Sequence, residues 1–227
     1  MIDGQWCAAS NGATRDIINP ANEQVIGRVA VAQTDDLQRA ARAASRAFGE
    51  WGRSSPVDRA NILRRTAALL RERSAQIAPL ITAENGKTLA ESQAEVAWAA
   101  EFYEWFAEEG RRTYGRVVPS RTPGVRQTVI REPVGPVLAL SPWNWPLVTA
   151  SKKISAVLAA GCTVVLKPSE LSPFSALLFA QLMHDAGTPP GVFNLVNGSG
   201  PEVGAAMASH PDVDMVSITG STRAGVQ

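Results

Sequence analysis

From Thr34 the apolar residues recur at steps of three and four, as Leu37, Ala40, Ala41, Ala44, Ala47, Phe48 and Trp51. That period predicts a helix with Thr34 as its N-cap. A second helix is expected from Ser55-Pro56, where proline suits the first helical position and Ile62, Leu63, Leu69 and Leu70 form a buried face. A third runs from about Ser74 to the stop at Asn85-Gly86. A fourth starts at "TLAE", whose Thr88 and Glu91 have capping-box spacing, and carries Val96, Tyr103 and Phe106 toward Gly110. Trp51, Trp98 and Trp105 fall on these helical faces and are expected in the core. Ahead of the helices, the turn signals Asn11-Gly12 and Asn19-Pro20 separate short apolar runs such as Val25 to Val31, which predicts a few edge strands or loops.

After Gly110 the pattern changes. "VVPSRTPGVRQTVIREP" places turn residues between two extended runs whose polar alternation offers little for burial, and a hairpin or protruding arm is expected. Then strands and helices alternate: strand Val134 to Leu140, helix Leu147 to Ala160, strand Thr163 to Leu166, helix Ser172 to Ala186, strand Val192 to Val196, helix Glu202 to Ser209, strand Met215 to Thr219, and the opening of a helix from Thr222 to Gln227. Continuous apolar strands separated by amphipathic helices imply a parallel sheet covered on both faces. The fold class is therefore α/β, a doubly wound parallel sheet of Rossmann-like type, with an N-terminal helical layer and a β-hairpin arm.

Composition leaves this picture intact and narrows the partners. The 227 residues are 45% hydrophobic and 19% charged, and 22 Lys and Arg nearly cancel 21 Asp and Glu. No basic stripe argues for nucleic acid. The N-terminus "MIDGQWCAAS" has no basic segment followed by an apolar run, and no apolar run approaches the roughly 20 residues that span a bilayer, so no membrane partner and a cytoplasmic location are expected. Cys7 and Cys162 are far apart with no ligand-spaced partner, so neither a metal site nor a disulfide is expected. Cys162 opens a buried strand with no base beside it and reads as a core residue. His184 and His210 sit at helix ends, where the helix C-terminus accounts for them.

Ligands of open α/β sheets bind beyond the carboxyl ends of the strands, so those ends carry the candidate chemistry. The first runs into "SPWNWP", where Asn144 is either a turn residue or an amide fixed to donate to a developing oxyanion. The second runs into "KPSE", where Lys167 and Glu170 either grip a ribose or prepare the next helix. The third runs into "NGSGPEVG", one residue off the dinucleotide fingerprint, which is equally a glycine turn with close helix packing. The fourth runs into "TGS", where helix N-terminal amides and Ser221 offer a pyrophosphate contact, an N-cap, or both.

In this order and at these separations, "PVGPVLALSPWNWPL", "AAGCTVVLKPSELSP", "PPGVFNLVNGSGPEVG" and "VSITGSTRAG" resemble the aldehyde dehydrogenase superfamily, together with the earlier "INPANEQVIGRV" and "ENGKTLAES". The resemblance implies NAD(P)-dependent oxidation of an aldehyde to a carboxylic acid, with a cysteine thiolate adding to the carbonyl and hydride passing to the nicotinamide. By carry-over, Asn144 resembles the oxyanion asparagine, Lys167 and Glu170 the ribose grip, and Gly200 and Gly204 the glycines beside the adenine. Ser141, Pro142, Trp143, Ser169, Thr219, Gly220 and Ser221 match positions lining the cofactor. It also implies three parts: residues 1–114 as the mostly helical part of the cofactor-binding domain, 115–132 as an oligomerisation arm, and 133–227 as its parallel part. Family members carry their Glu-Leu-Gly-Gly base and their nucleophilic cysteine beyond the matched stretches. The chain is accordingly expected to be an N-terminal piece, inactive alone, working as a homo-oligomer when complete or with a complementary C-terminal half. The alternative is a non-catalytic nucleotide-binding or assembly module of the same fold. Glu170 would face a 2'-phosphate with like charge, so NAD is expected over NADP.

Overall fold

The computed structural model of the chain describes residues 1–226, so the last residue of the expected terminal helix, Gln227, lies outside the described residues. An antiparallel pair, β1 (Thr14–Ile18) and β2 (Val25–Ala30), precedes four helices, α1 (Thr34–Trp51), α2 (Pro56–Glu72), α3 (Ser74–Asn85) and α4 (Leu89–Glu109). Local chemistry sets their ends. Ser55 Oγ accepts from the Val57 N–H at 3.1 Å, and Thr88 and Glu91 cap each other's backbone. The first helix departs by one residue from expectation, because the Asp36 carboxylate accepts from the Gln33 N–H at 2.9 Å and makes Gln33 rather than Thr34 the N-cap. Gly86 ends α3 in the left-handed conformation. Gly110 stays right-handed and leads into a 3-10 turn that packs tightly, since a Cβ there would stand 3.0 Å from both the carbonyl oxygen and the methyl of Ala159.

One expectation about the tryptophans fails. Trp51 is buried, but Trp98 and Trp105 are 49% and 63% exposed. The buried stripe of α4 is Ser92, Glu95, Val96, Ala99, Ala100, Tyr103 and Ala107, and the two tryptophans, seven residues apart, share a stripe beside it.

The arm consists of β3 (Arg116–Pro119) and β4 (Arg126–Val129), antiparallel and exposed at every position. The parallel part follows as β5 (Val137–Leu140), α5 (Pro146–Ala159), β6 (Val164–Lys167), α6 (Phe174–Asp185), β7 (Phe193–Leu195), a π-helical turn Gly200–Gly204 running into α7 (Ala205–Ala208), then β8 (Met215–Ile218) and α8 (Thr222–Val226). The strand expected from Val134 begins only at Val137, since Pro133 and Pro136 lack an N–H for the ladder and Gly135 takes a positive φ of 126°.

The four parallel strands stand in the order β7-β6-β5-β8. Counted along the chain this is third, second, first, fourth, the order of the first four strands of a Rossmann sheet, one mononucleotide-binding half and the first strand of the next. Alternate residues of the apolar strands feed two cores. Ala139, Val164, Leu166, Phe193 and Leu195 pack with helices α2 to α6, while Leu138, Val165 and Val196 pack with Ala40, Ala41 and Ala44 of α1 and with Val203 and Met207. Strand succession reverses at β5, so the crevice between the ends of β5 and β8 is the topological switch point.

Candidate functional site

Strand register brings the carboxyl ends level. Leu140 is paired with Lys167 on one side and Ile218 on the other; beyond them the Ser141 N–H donates to the Lys167 carbonyl at 3.3 Å and the Thr219 N–H to the Leu140 carbonyl at 3.1 Å. Ser141, Lys167 and Thr219 therefore stand side by side. Ser141 is buried, and its hydroxyl has no hydrogen-bond partner among the described residues. Such an orphan at a strand end suits a site whose ligand brings the missing partner.

Lys167 is 5% exposed, and its ammonium donates to the Pro168 carbonyl at 2.9 Å and to the Glu170 carboxylate at 3.2 Å. Burial pushes its pKa below the usual lysine value, and the Glu170 charge opposes that shift. With two of three N–H bonds engaged, one donor is left for a ligand hydroxyl. Ser169 is buried and its Oγ accepts from the Leu171 N–H at 3.2 Å, which shapes the turn that presents Glu170. Gly204 packs against this lysine: a Cβ there would lie 3.8 Å from Lys167 Cδ and 4.0 Å from Leu140 Cδ2, whereas a Cβ on Gly200 would meet nothing within 4 Å. The glycine turn thus has both a packing side and an open side. Ser199 caps it, its Oγ accepting from the Glu202 N–H at 3.2 Å. Thr219, Gly220 and Ser221 are exposed, and Ser221 Oγ accepts from the Ala224 N–H at 3.2 Å, so this serine is an N-cap.

Asn144 belongs to a different neighbourhood. Pro142 is half-buried, Trp143 and Asn144 are exposed, and the Asn144 side-chain amide makes no hydrogen bond among the described residues. What holds this loop is the turn between α3 and α4. Asn85 Nδ2 donates to the Trp143 carbonyl at 2.7 Å and Lys87 Nζ to the Asn144 carbonyl at 2.9 Å, while Ser172 Oγ donates to the Trp143 carbonyl at 3.0 Å.

Two buried carboxylates escaped the sequence reading. Glu95 is fully buried; one oxygen accepts from the Leu147 and Val148 N–H groups at 2.9 and 3.0 Å, and the other pairs with Lys87 at 2.6 Å. Glu84 accepts from the Phe174 and Ser175 N–H groups at 2.5 and 2.9 Å, so α6 is capped by a residue of α3 and not by Ser172 or Glu170. Burial raises Glu84 to a pKa of about 7, against the lowering effect of those hydrogen bonds. A carboxylate at a core-facing helical position, as Glu95 is among Ser92, Val96 and Ala99, was the available signal. Lys153, whose ammonium donates to Ser217 Oγ at 2.9 Å, ties α5 to β8 and was likewise missed.

Cys162 is buried at the amino end of β6, opposite to Lys167, as its core assignment requires, and Cys7 is exposed in the N-terminal segment. Among the described residues no group of His, Cys, Asp and Glu could hold a metal ion, and no helix is long and apolar enough to cross a membrane.

A parallel sheet in this order, with an orphaned serine, a buried lysine and a close-packed glycine turn gathered at its carboxyl ends, is of the dinucleotide-binding class. Comparison with known proteins narrows the class. The model of the aldehyde dehydrogenase family matches residues 6–227, and the chain belongs to that family. It is 44% identical to GabD of Escherichia coli K12, an NADP(+) succinate-semialdehyde dehydrogenase, over 100% of this chain and 47% of that protein. The same identity and coverage hold for a glutarate-semialdehyde dehydrogenase of Pseudomonas aeruginosa. Among solved structures, an Escherichia coli NADP-dependent enzyme superposes with a TM-score of 0.98 at 44% identity, covering 100% of this chain and 47% of that one. A Staphylococcus aureus betaine aldehyde dehydrogenase in complex with NAD+ gives 0.97 at 40% identity, covering 99% and 46%. The chain spans about half the length of the relatives it matches.

Proposed function

We propose that the chain is the cofactor-binding half of an NAD(P)-dependent aldehyde dehydrogenase, with NAD favoured over NADP. The observation that carries this reading is the convergence of Lys167, Glu170 and Gly204 at the carboxyl ends of β5 and β6. Lys167 and Glu170 would hold the adenosine ribose, ammonium donating to its hydroxyls and carboxylate accepting from them. Gly200 leaves room beside the adenine, and Gly204 carries the helical turn past the lysine stem. Gly220 and Ser221, opening α8, face the pyrophosphate, and Ser141, Pro142, Trp143, Ser169 and Thr219 line the remaining length. The dinucleotide, when bound, supplies the hydride acceptor. Asn144, with its amide unengaged, would donate to the oxygen of the carbonyl as charge develops there. The attacking nucleophile comes from outside the residues of this site, because Cys162 lies at the opposite end of β6 and Cys7 in the N-terminal segment.

Relatives named for succinate semialdehyde, glutarate semialdehyde and 3-sulfolactaldehyde all act on aldehydes that also carry an anionic group, and such an aldehyde is the proposed substrate class. The arm β3–β4, exposed throughout, is proposed as an oligomer contact, and the cytoplasm as the location.

Fluorescence titration with NADH and NADPH tests the cofactor reading. Tighter NADH binding in the wild type, with the preference narrowed by Glu170→Thr, is expected; equal affinities would refute the role of Glu170. NADH formation from succinic semialdehyde, measured with the chain mixed with the C-terminal half of a family member, tests the reaction. Binding without any turnover would favour a non-catalytic nucleotide-binding or assembly module.

A further inference from the structure

Among the contacts of the Asn144 loop, one set is unlike ordinary turn chemistry. The peptide planes on both sides of the Asn144 Cα are held by the same turn. The Trp143 carbonyl, in the plane before it, accepts from Asn85 Nδ2 at 2.7 Å, and the Asn144 carbonyl, in the plane after it, accepts from Lys87 Nζ at 2.9 Å. Because a peptide unit is rigid, fixing both planes fixes φ and ψ of Asn144 and leaves only its two side-chain torsions free.

The lysine is itself fixed. Its side chain is 11% exposed, its ammonium pairs with Glu95 at 2.6 Å, and it stands 4.0 Å from the centroid of the Trp145 ring, which in turn stacks on Trp98 at 5.5 Å. Glu95 couples this grip to the helix that follows the loop, since its second oxygen holds the first N–H groups of α5 at Leu147 and Val148. One buried carboxylate thus sets the loop's exit while its lysine partner sets the loop's middle. An ion pair serving only to join α4 to α5 would not require its lysine to turn a third contact onto the carbonyl of Asn144.

We propose that Lys87, oriented by Glu95, is the positioning residue for Asn144, holding its backbone so that the side chain departs from one fixed Cα–Cβ direction. The proposal deepens the reading of Asn144 as an oxyanion donor and rests on it for its catalytic meaning, but the positioning can be read without catalysis. In the 227-residue chain labelled with 15N-asparagine, the Asn144 backbone N–H is identified by its loss in Asn144→Asp, and its order is measured by relaxation. In Lys87→Met, which keeps the stem and removes the charge, the order parameter is expected to fall from near 0.85 to below about 0.6. Lys87→Arg restores a donor and should recover most of the order. The amide of Asn194, buried and bonded to the Gly191 carbonyl at 2.7 Å, reports the fold in the same spectrum.

Unchanged Asn144 order in Lys87→Met, with Asn194 unaltered, would overturn the proposal. If Lys87→Met loses the Asn194 signal, Glu95→Gln, which keeps an acceptor for the start of α5 and removes the charge that orients the lysine, is read in its place, and unchanged Asn144 order there would overturn the proposal. If the order depends on Lys87 but the completed protein oxidises no aldehyde, the positioning stands and the catalytic reading of Asn144 falls. In a completed protein that does turn over, Lys87→Met should lower kcat while leaving the KM for the dinucleotide unchanged.

Discussion

Glu84 should make the stability of this protein fall as pH rises through neutrality. The carboxyl is 3% exposed, and burial, reinforced by the nearby Glu95 charge, lifts it from its ordinary 4.5 to about 7 despite the two N–H groups that it accepts from. Between those values the folded protein holds a proton that the unfolded chain has released. Stability is therefore fully present below pH 4.5 and is lost as pH rises toward and through 7. At about 1.4 kcal/mol per pH unit, the interval corresponds to roughly 3 kcal/mol, a large share of the 5–15 kcal/mol typical of a domain. Glu84→Gln removes the titration and keeps one carbonyl oxygen for the start of α6, at a pH-independent cost of about 1–3 kcal/mol for the N–H left unpaired. The assay is urea unfolding of both proteins from pH 4.5 to pH 8. Asp36, Glu104 and Asp185 have lowered pKa values and act in the opposite sense, but they are common to both chains and cancel in the difference. The stability advantage of wild type over Glu84→Gln is expected to shrink by about 2–3 kcal/mol across the range. Parallel curves would refute the assignment of the raised pKa to Glu84.

Three further outcomes follow from packing. Gly191→Ala should cost more than about 2 kcal/mol, because φ is +77° and a Cβ would stand 2.6 Å from the Ala43 carbonyl oxygen, a backbone atom that cannot swing aside; thermal melting checks it. Phe179→Ala should cost about 3–5 kcal/mol in urea unfolding, since this ring is fully enclosed between Tyr103 and Phe193 at centroid distances of 5.7 Å to each. A thiol reagent should react promptly with Cys7 alone in the native chain and with Cys162 only after denaturant is added; prompt modification of both would contradict the core placement of Cys162.

What the sequence discloses and what it hides divide by range. Helix starts depend on residues two or three positions apart, so Ser55 with Val57 and Thr88 with Glu91 are visible in the text of the chain and recur in the structure. Strand limits depend on partners. Val134 is apolar and suits a strand, yet no neighbour is available to it once Pro133 and Pro136 have removed their donors. The tryptophans failed for a related reason: period alone shows that Trp98 and Trp105 lie on a helix, but not which side of α4 the rest of the protein covers.

The site divides in the same way. Its glycines and its "KPSE" lysine were legible because strand ends on an α/β sheet are informative places and because each is local to one turn. The order of the strands was not legible, since four apolar strands can be arranged in several ways and each reads alike. That order decides which ends meet: with β8 beside β5, the Ser141, Lys167 and Thr219 positions become neighbours; with β8 beside β7 they would not. The Asn144 support was hidden more deeply. Glu95 and Leu147 are separated by 52 positions and Lys87 and Asn144 by 57, so no spacing rule connects them. A carboxylate placed among alanines on the buried stripe of α4 is costly unless something pairs with it. The chain meets that cost with the ammonium of Lys87 and two of the N–H groups that a helix start leaves without intrahelical partners. The burial that makes Glu95 expensive is therefore also what keeps the loop before α5 from drifting.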